Sequence, residues 1–227
     1  MQRLVRSGYR LRAIIGVPGK LAELAPVLAA VDCPVYRVGK WTLSDVVGFR
    51  VTRGVLAAAD RRAATPAAEL LDRGSRFVVC EAINDFENLG SIFRNAAGLD
   101  VDAVVFGTGC ADPLYRRAVR VSMGHALLVP YAWAEAWPGD LTILRDNGFR
   151  LLAMTPEPSA ATLSEAMATV GDERVAILVG AEGPGLTETA MRASDIRVRI
   201  PMSRGTDSLN VATAAALAFY ERVRLAR

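Results

Sequence analysis

Histidine, cysteine and the common nucleotide motifs are scarce or missing in this chain of 227 residues. The single histidine, His125, would have to serve any Ser-His-Asp or Cys-His site, and no G-x-S-x-G nucleophile elbow is present. The three cysteines are an odd number without metal-ligand spacing, so we expect reduced thiols and no bound metal. No P-loop occurs, and Gly-Thr-Gly at 107–109 lacks the spacing of a dinucleotide fingerprint.

Long apolar segments are missing as well. No apolar run reaches the roughly 18 residues that a membrane span requires. The basic first residues are not followed by an apolar signal core, so we expect a cytoplasmic protein without a membrane partner. Hydrophobic residues make up 52% of the chain, which is enough to bury a core in one large or two small domains.

Positive charge is concentrated in the first third of the chain. Residues 1–75 contain 12 Lys and Arg against 6 Asp and Glu, a net of +6, whereas residues 76–227 contain 15 against 18, a net of −3. A basic segment favours a polyanion such as RNA as the partner. Ordinary solvated arginines would give the same count, so charge alone leaves both interpretations open.

Short β-branched runs alternate with alanine-rich segments along the chain, which predicts an α/β fold with a mostly parallel sheet covered on both faces. We expect a small α/β module at 1–65, a linker at 66–74 and a larger α/β domain at 75–227. In the larger domain the predicted strands are 77–81, 102–106, 127–130, 150–155, 175–179 and 196–200. The predicted helices are 91–99, 115–123, 141–148, 162–167 and one that follows residue 208, and 82–90 is predicted as a loop.

The end of the larger domain combines two strand ends with polar loops. The strand at 175–179 runs into a glycine loop that carries Glu182, and Pro201 ends the strand at 196–200. A helix follows, with Asp207 or Ser208 as the expected N-cap. Ligands in open α/β sheets bind beyond the carboxyl ends of strands, and exposed N–H groups at a helix start suit an anionic group. The pattern therefore predicts a ligand site here but does not define its chemistry.

Three segments in the larger domain carry a family resemblance. They read NDFENLGSIFRNAAGLDVDAVVF at 84–106, LVGAEGPGL at 178–186 and IPMSRGTDSLNVATAAALAFYE at 200–221. In this order and spacing they resemble the SpoU-type RNA ribose 2′-O-methyltransferases of the SPOUT superfamily. The resemblance covers about residues 75–227. Residues 1–65 resemble the family's RNA substrate-binding module, although Thr52-Arg53-Gly54 stands where the family often has His-Gln-Gly.

The resemblance implies a fold, a cofactor and partners. It implies a trefoil-knot methyltransferase domain, S-adenosyl-L-methionine as cofactor, ribosomal or transfer RNA as substrate, and a homodimer in which two subunits complete each site. Matching positions imply cofactor binding by Thr155, Gly180, Ile200, Met202 and Leu209. They imply a catalytic set of Arg94, Asn88, Glu182, Ser208 and Asn210.

The reaction implied by the resemblance is attack of a ribose 2′-hydroxyl on the sulfonium methyl, with Arg94 as the key residue. The pKa of a free arginine is about 13.8, so neutralising it near pH 7 costs on the order of 9 kcal/mol. We therefore expect Arg94 to clamp a nucleotide phosphate and position the ribose, while a phosphate oxygen or water accepts the proton.

Two other classes of protein stay open. One is a non-catalytic RNA-binding protein that keeps the knot fold, and the other is a different nucleotide-binding α/β enzyme that uses the same strand ends. Each candidate residue also has a plain structural interpretation. Arg94 could be a surface arginine, Asn88 a turn residue and Glu182 a loop carboxylate. Ser208 and Asn210 could merely cap the last helix.

Overall fold

The computed structural model describes residues 1–72 and 74–225, which form two compact units. The first unit is Met1–Ala63 and the second begins at Ala64. None of the helices in these described ranges has the length and apolar composition of a membrane span.

The first unit contains the strands β1 (Leu11–Gly16), β2 (Val35–Arg37) and β3 (Val55–Ala59) and the helices α1 (Gln2–Arg6), α2 (Pro18–Glu23), α3 (Ala25–Leu28) and α4 (Lys40–Val47). The strands form a sheet of order β2-β1-β3, in which β1 runs parallel to β2 and antiparallel to β3. Ile14 of β1 and Leu43 of α4 are fully buried. Pro18 at the start of α2 and left-handed Gly48 at the end of α4 set two helix boundaries.

The second unit contains a seven-stranded sheet. Its strands are β4 (Arg76–Cys80), β5 (Ala103–Phe106), β6 (Tyr131–Trp133), β7 (Phe149–Met154), β8 (Ala161–Thr162), β9 (Arg174–Val179) and β10 (Ile196–Arg199). Their order is β6-β5-β4-β9-β7-β10-β8, and every neighbouring pair is parallel, which confirms the predicted parallel sheet. Its helices are α5 (Ala67–Leu71), α6 (Phe86–Gly98), α7 (Arg116–Val121), α8 (Leu141–Asp146), α9 (Leu163–Val170), α10 (Glu188–Ala193) and α11 (Val211–Leu225).

Alternate residues of the central strands enter two separate cores. In β4, Val78 and Cys80 belong to the core under α6, α9 and α11, whereas Phe77 and Val79 belong to the core under α5, α8 and α10. Successive side chains of a strand point to opposite faces, so helices cover both faces of this sheet, as predicted. The stretch 66–74 that we predicted as a linker includes α5, and its Leu70 and Leu71 are buried in the second core.

Two predicted elements of the second unit are wrong. The strand predicted at 127–130 is instead a short 3₁₀ helix, His125–Leu127, and the strand begins one residue after Pro130 as β6. Left-handed Gly124 starts that turn, and the N–H groups of Leu128 and Val129 both donate to the carbonyl of His125 at 2.9 Å, so they cannot pair with a neighbouring strand. The predicted loop 82–90 is also too long, because Asp85 caps α6 and the helix starts at Phe86. The strand order alone does not determine how the chain threads through itself, so the trefoil knot stays a prediction.

Candidate active site

A cleft of about 280 Å³ lies where three neighbouring strands of the second unit end. Strands β9, β7 and β10 are adjacent and parallel, so their carboxyl ends meet at one edge of the sheet. Thr155 follows β7, Gly180 follows β9 and Ile200 follows β10, and all three line the cleft. The first residues of α11 and the polar segment before it form the remaining wall. The predicted ligand site therefore coincides with an open cleft at the predicted strand ends.

The loop 180–186 is folded tightly back on itself. The N–H of Gly185 donates to the carbonyl of Ala181 at 3.0 Å, and Gly183 and Gly185 have positive φ angles of 87° and 72°. A Cβ at Gly180 would lie 2.2 Å from the backbone of Gly185 and of Leu186. The glycine at 180 is therefore required by the packing of the loop itself. A bulky residue at this position would disrupt the loop before it could block a ligand.

Every residue that the family resemblance assigns to cofactor binding lines this cleft. The set is Thr155, Gly180, Ile200, Met202 and Leu209. The cleft combines apolar side chains with main-chain groups of the glycine loop, which is the usual composition of a small-molecule site. Three residues of the predicted catalytic set, Glu182, Ser208 and Asn210, line the same cleft.

Three side chains from distant segments form a closed ring of hydrogen bonds beside the cleft. Asn88 Nδ2 donates to Glu182 Oε1 at 2.9 Å, and Asn210 Nδ2 donates to the same oxygen at 3.0 Å. Asn210 Nδ2 also donates to Asn88 Oδ1 at 2.7 Å. The other carboxylate oxygen of Glu182 has no donor within residues 1–72 and 74–225, so it remains available to a ligand.

Helix capping positions two members of this ring. Asp85 Oδ1 accepts from the N–H groups of Glu87 at 2.7 Å and Asn88 at 2.8 Å, which places Asn88 in the first turn of α6. Asn210 Oδ1 accepts from the N–H groups of Ala212 and Thr213 at 3.0 and 3.2 Å, so Asn210 caps α11.

The N-cap predicted at Asp207 or Ser208 is therefore wrong. The capping oxygen and the ring donors of Asn210 belong to one side chain, so the residue that begins α11 is also a member of the ring. Ser208 instead stands exposed on the cleft wall, and no hydrogen bond joins it to the described part of the chain.

Asn95 is a supporting residue that our sequence analysis missed. Its Nδ2 donates to the carbonyl of Ala212 at 2.9 Å and so joins α6 to the first turn of α11. Seven residues separate Asn88 from Asn95, close to two helical turns, so both point to the same side of α6. This spacing is the signal that could have identified it.

Arg94 does not belong to the ring. It lies six residues after Asn88, which places it about 120° away around the axis of α6. Its side chain is exposed and makes no ion pair or hydrogen bond with the described residues. The guanidinium is therefore free to meet an anion from solvent, and its assigned role stays a prediction.

The cysteines offer no nucleophile to this site. Burial raises the pKa of Cys110 to about 11 and that of Cys80 well above its usual value, with the nearby thiol of Cys110 contributing. Both thiols are therefore protonated at neutral pH. All three cysteines are free of disulfides.

The sequence profile of the SpoU rRNA Methylase family matches residues 75–220, well over half of the chain. The chain belongs to the SpoU rRNA methylase family. The matched range contains the cleft, the ring and all three sequence segments on which the resemblance rests.

This chain is similar to several known proteins, which match different shares of it. It is 64% identical to an uncharacterized tRNA/rRNA methyltransferase of Mycobacterium bovis over 99% of this chain and 78% of the relative. It is 29% identical to the 23S rRNA (guanosine(2553)-2′-O)-methyltransferase of Bacillus subtilis over 67% of this chain and 59% of the relative. An AdoMet-bound rRNA methyltransferase of Sinorhizobium meliloti has the same fold, with a TM-score of 0.81 at 22% identity over 99% of this chain and 85% of the other.

Proposed function

We propose that this protein transfers a methyl group from S-adenosyl-L-methionine to a ribose 2′-hydroxyl of ribosomal or transfer RNA. The observation that carries the proposal is the ring of Asn88, Glu182 and Asn210 beside an open cleft at the strand ends. The names of two relatives support it. The Mycobacterium bovis protein is named an uncharacterized tRNA/rRNA methyltransferase, and the Bacillus subtilis protein is named a 23S rRNA 2′-O-methyltransferase.

The cleft residues fit the proposed cofactor. Ile200 and Leu209 offer apolar contacts for an adenine, and the main chain of the glycine loop offers hydrogen bonds to polar groups. Thr155 and Met202 complete the set that would hold it. When bound, S-adenosyl-L-methionine supplies an electrophilic methyl group.

The ring would orient the RNA hydroxyl. The unpaired oxygen of Glu182 accepts a hydrogen bond from the 2′-hydroxyl, and the two asparagines hold that carboxylate in place. Arg94 clamps an adjacent phosphate, because a guanidinium binds phosphate with two parallel hydrogen bonds. Ser208 offers a further hydroxyl on the cleft wall. The hydroxyl proton then moves from its hydrogen bond with Glu182 to a phosphate oxygen or to water, since a protonated arginine cannot accept it.

The first unit is proposed to bind the RNA. Trp41 is 83% exposed, and Tyr36 is exposed in the edge strand β2, with Arg37 and Lys40 between them in the chain. Aromatic faces stack on unpaired bases, while neighbouring cations neutralise phosphates. This combination favours an RNA partner over a second protein for the surface formed by residues 35–41.

A homodimer is proposed through the outer face of α11. Thr213, Leu217 and Tyr220 are exposed at intervals of four and three residues, so they form one stripe along the helix. Exposed leucine and tyrosine on one stripe suit contact with a second copy of the same helix.

The direct test is a methyl-transfer assay with radiolabelled S-adenosyl-L-methionine and 23S rRNA or bulk tRNA, followed by nuclease digestion and nucleoside chromatography. The proposal predicts label in a 2′-O-methylated nucleoside. Label on a base would contradict ribose specificity. Cofactor and RNA binding without any transfer would favour the non-catalytic alternative.

A further inference from the structure

Glu81 is a buried carboxylate that the reaction described above does not use. It follows β4 directly and is 1% exposed. Its Oε2 accepts from the N–H of Thr187 at 2.7 Å, and its Oε1 accepts from the hydroxyl of Thr187 at 2.9 Å and from the indole Nε1–H of Trp137. A buried carboxylate is stable only when hydrogen bonds replace those it loses with water. These three donors supply such bonds to Glu81.

The contacts of Glu81 hold both ends of the loop 180–186. Its own N–H donates to the carbonyl of Val179 at 2.9 Å, immediately before the loop. Its carboxylate binds Thr187, immediately after the loop. One residue therefore fixes the entry of this loop through its main chain and the exit through its side chain.

The exit of the loop is also the start of α10. The hydroxyl of Thr187 accepts from the N–H of Ala190 at 3.2 Å and caps that helix. Leu186, one residue earlier, is buried in the second core. The position of Thr187 therefore determines how closely the backbone at Leu186 approaches Gly180 at the start of the loop.

Trp137 adds a third segment to this arrangement. A Cβ at Gly107 would lie 2.6 Å from the indole ring, so the ring packs directly on the backbone that follows β5. From there the indole N–H reaches Glu81. The Glu81 carboxylate therefore links the chain segments that follow β4, β5 and β9 at this edge of the sheet.

We propose that Glu81 is a positioning residue for the loop 180–186. By fixing both ends of the loop, it determines where the Glu182 carboxylate and the loop main chain stand in the cleft, without touching substrate or cofactor. The part that concerns cofactor affinity rests on the proposed function. The part that concerns loop order does not.

Replacement by glutamine tests the charge and the acceptors while keeping the shape. In Glu81→Gln one oxygen becomes an NH₂ group, which must face either the N–H of Thr187 or that of Trp137. In both orientations two donors face each other and one bond is lost. The control is Glu165→Gln, which alters an exposed carboxylate that caps α9 and does not line the cleft.

Two measurements on the full chain separate positioning from general stability. Hydrogen exchange of the free protein should show the segment 180–190 exchanging at least tenfold faster in Glu81→Gln, while the core of α9 is unchanged. In Glu165→Gln the segment 180–190 should keep its wild-type rate. Calorimetric titration with S-adenosyl-L-methionine should give a Kd raised at least tenfold in Glu81→Gln and within twofold of wild type in Glu165→Gln.

Exchange and Kd both within twofold of wild type in Glu81→Gln would overturn the proposal. Faster exchange in a protein whose wild type binds no S-adenosyl-L-methionine, with and without an rRNA fragment, would instead uphold the loop assignment and refute the proposed function. If Glu81→Gln does not fold, Trp137→Phe removes the indole N–H donor and keeps a smaller aromatic ring near Gly107. It should accelerate exchange of 180–190 about threefold, and an unchanged rate would overturn the proposal.

Discussion

The amide of Asn210 donates a hydrogen bond to the side-chain oxygen of Asn88 at 2.7 Å across 122 residues of chain. The same amide donates to Glu182, and the oxygen of the same side chain caps α11. Helix initiation and site assembly thus depend on one residue. The two roles can be separated by choosing the substitution.

Asn210→Asp keeps the capping oxygen but loses both amide donors. A carboxylate at a helix N-terminus is favourable, so we expect the melting temperature to stay within about 3 °C of wild type. Repulsion from Glu182 should open the ring and lower kcat for RNA methylation at least tenfold. Asn210→Ala should lose the same activity and also about 1 kcal/mol of stability. Thermal melts and single-turnover assays check both, and full activity in Asn210→Asp would show that the ring is not needed.

Arg94→Lys keeps the charge but removes the paired geometry of the guanidinium. If Arg94 clamps a phosphate to position the ribose, turnover should fall about 10- to 100-fold while the Kd for S-adenosyl-L-methionine is unchanged. Arg192→Lys, an exposed arginine on α10, is the control and should retain wild-type turnover. Near-normal turnover with unchanged RNA affinity in Arg94→Lys would refute the clamp.

Trp41→Ala should weaken RNA binding without affecting the cofactor. One base–aromatic stack contributes about 1–3 kcal/mol, so we expect RNA affinity to fall roughly 5- to 150-fold. The dependence of affinity on salt should remain, because it arises from cations such as Arg37 and Lys40. Fluorescence anisotropy with an rRNA fragment at several salt concentrations measures both. An unchanged Kd would exclude this surface.

Leu217→Glu places a charge on the exposed stripe of α11 and should give a monomer. Ile143→Glu is the matched control, because Ile143 on α8 is 42% exposed and Leu217 is 41% exposed. Sedimentation velocity should show that wild type and Ile143→Glu are dimers and that Leu217→Glu is a monomer. A monomeric wild type would contradict the proposed dimer.

Lowering the pH should weaken the contact between α11 and α9 that Glu221 makes with Ser164. Hydrogen bonds from Arg224 and Ser164 lower the pKa of Glu221 to about 2. A carboxyl whose pKa is lower in the folded than in the unfolded chain stabilises the folded state at pH values above its unfolded pKa, near 4.5. This stabilisation is lost as the pH falls toward the folded-state pKa of about 2. Relative to Glu221→Gln, wild type should lose on the order of 1 kcal/mol of unfolding free energy between pH 6 and pH 2.5. Parallel denaturant titrations measure this difference, and equal losses in both proteins would contradict it.

Sequence patterns predicted the sheet better than the positions of the helix ends. The β-branched run at 175–179 and the alternation at 196–200 correspond to β9 and β10 because strand periodicity is local. Asp207, Ser208 and Asn210 are all good N-caps, so local chemistry could not choose among them. In the structure Asn210 is the cap, and its amide also contacts Asn88 and Glu182, which come near it only in the folded chain.

The residues of the candidate site were predicted, but the contacts between their side chains were not. Family resemblance named Asn88, Glu182 and Asn210, yet nothing local in the sequence joins side chains so far apart. Glu81 was assigned to a strand end, where a carboxylate usually faces solvent. Its burial follows from Trp137 and Thr187, which reach it from two other loops. Such convergence on one carboxylate is invisible to periodicity and spacing.

The central claim is tested most directly by calorimetric titration of S-adenosyl-L-methionine into the wild-type chain, Leu209→Glu and Leu128→Glu. Leu209 lines the cleft and is 37% exposed, whereas Leu128 is 40% exposed and does not line it. The account predicts one site per chain in wild type and Leu128→Glu, and at least tenfold weaker binding in Leu209→Glu. No binding by wild type, with and without an rRNA fragment, or equal binding by all three proteins would contradict it.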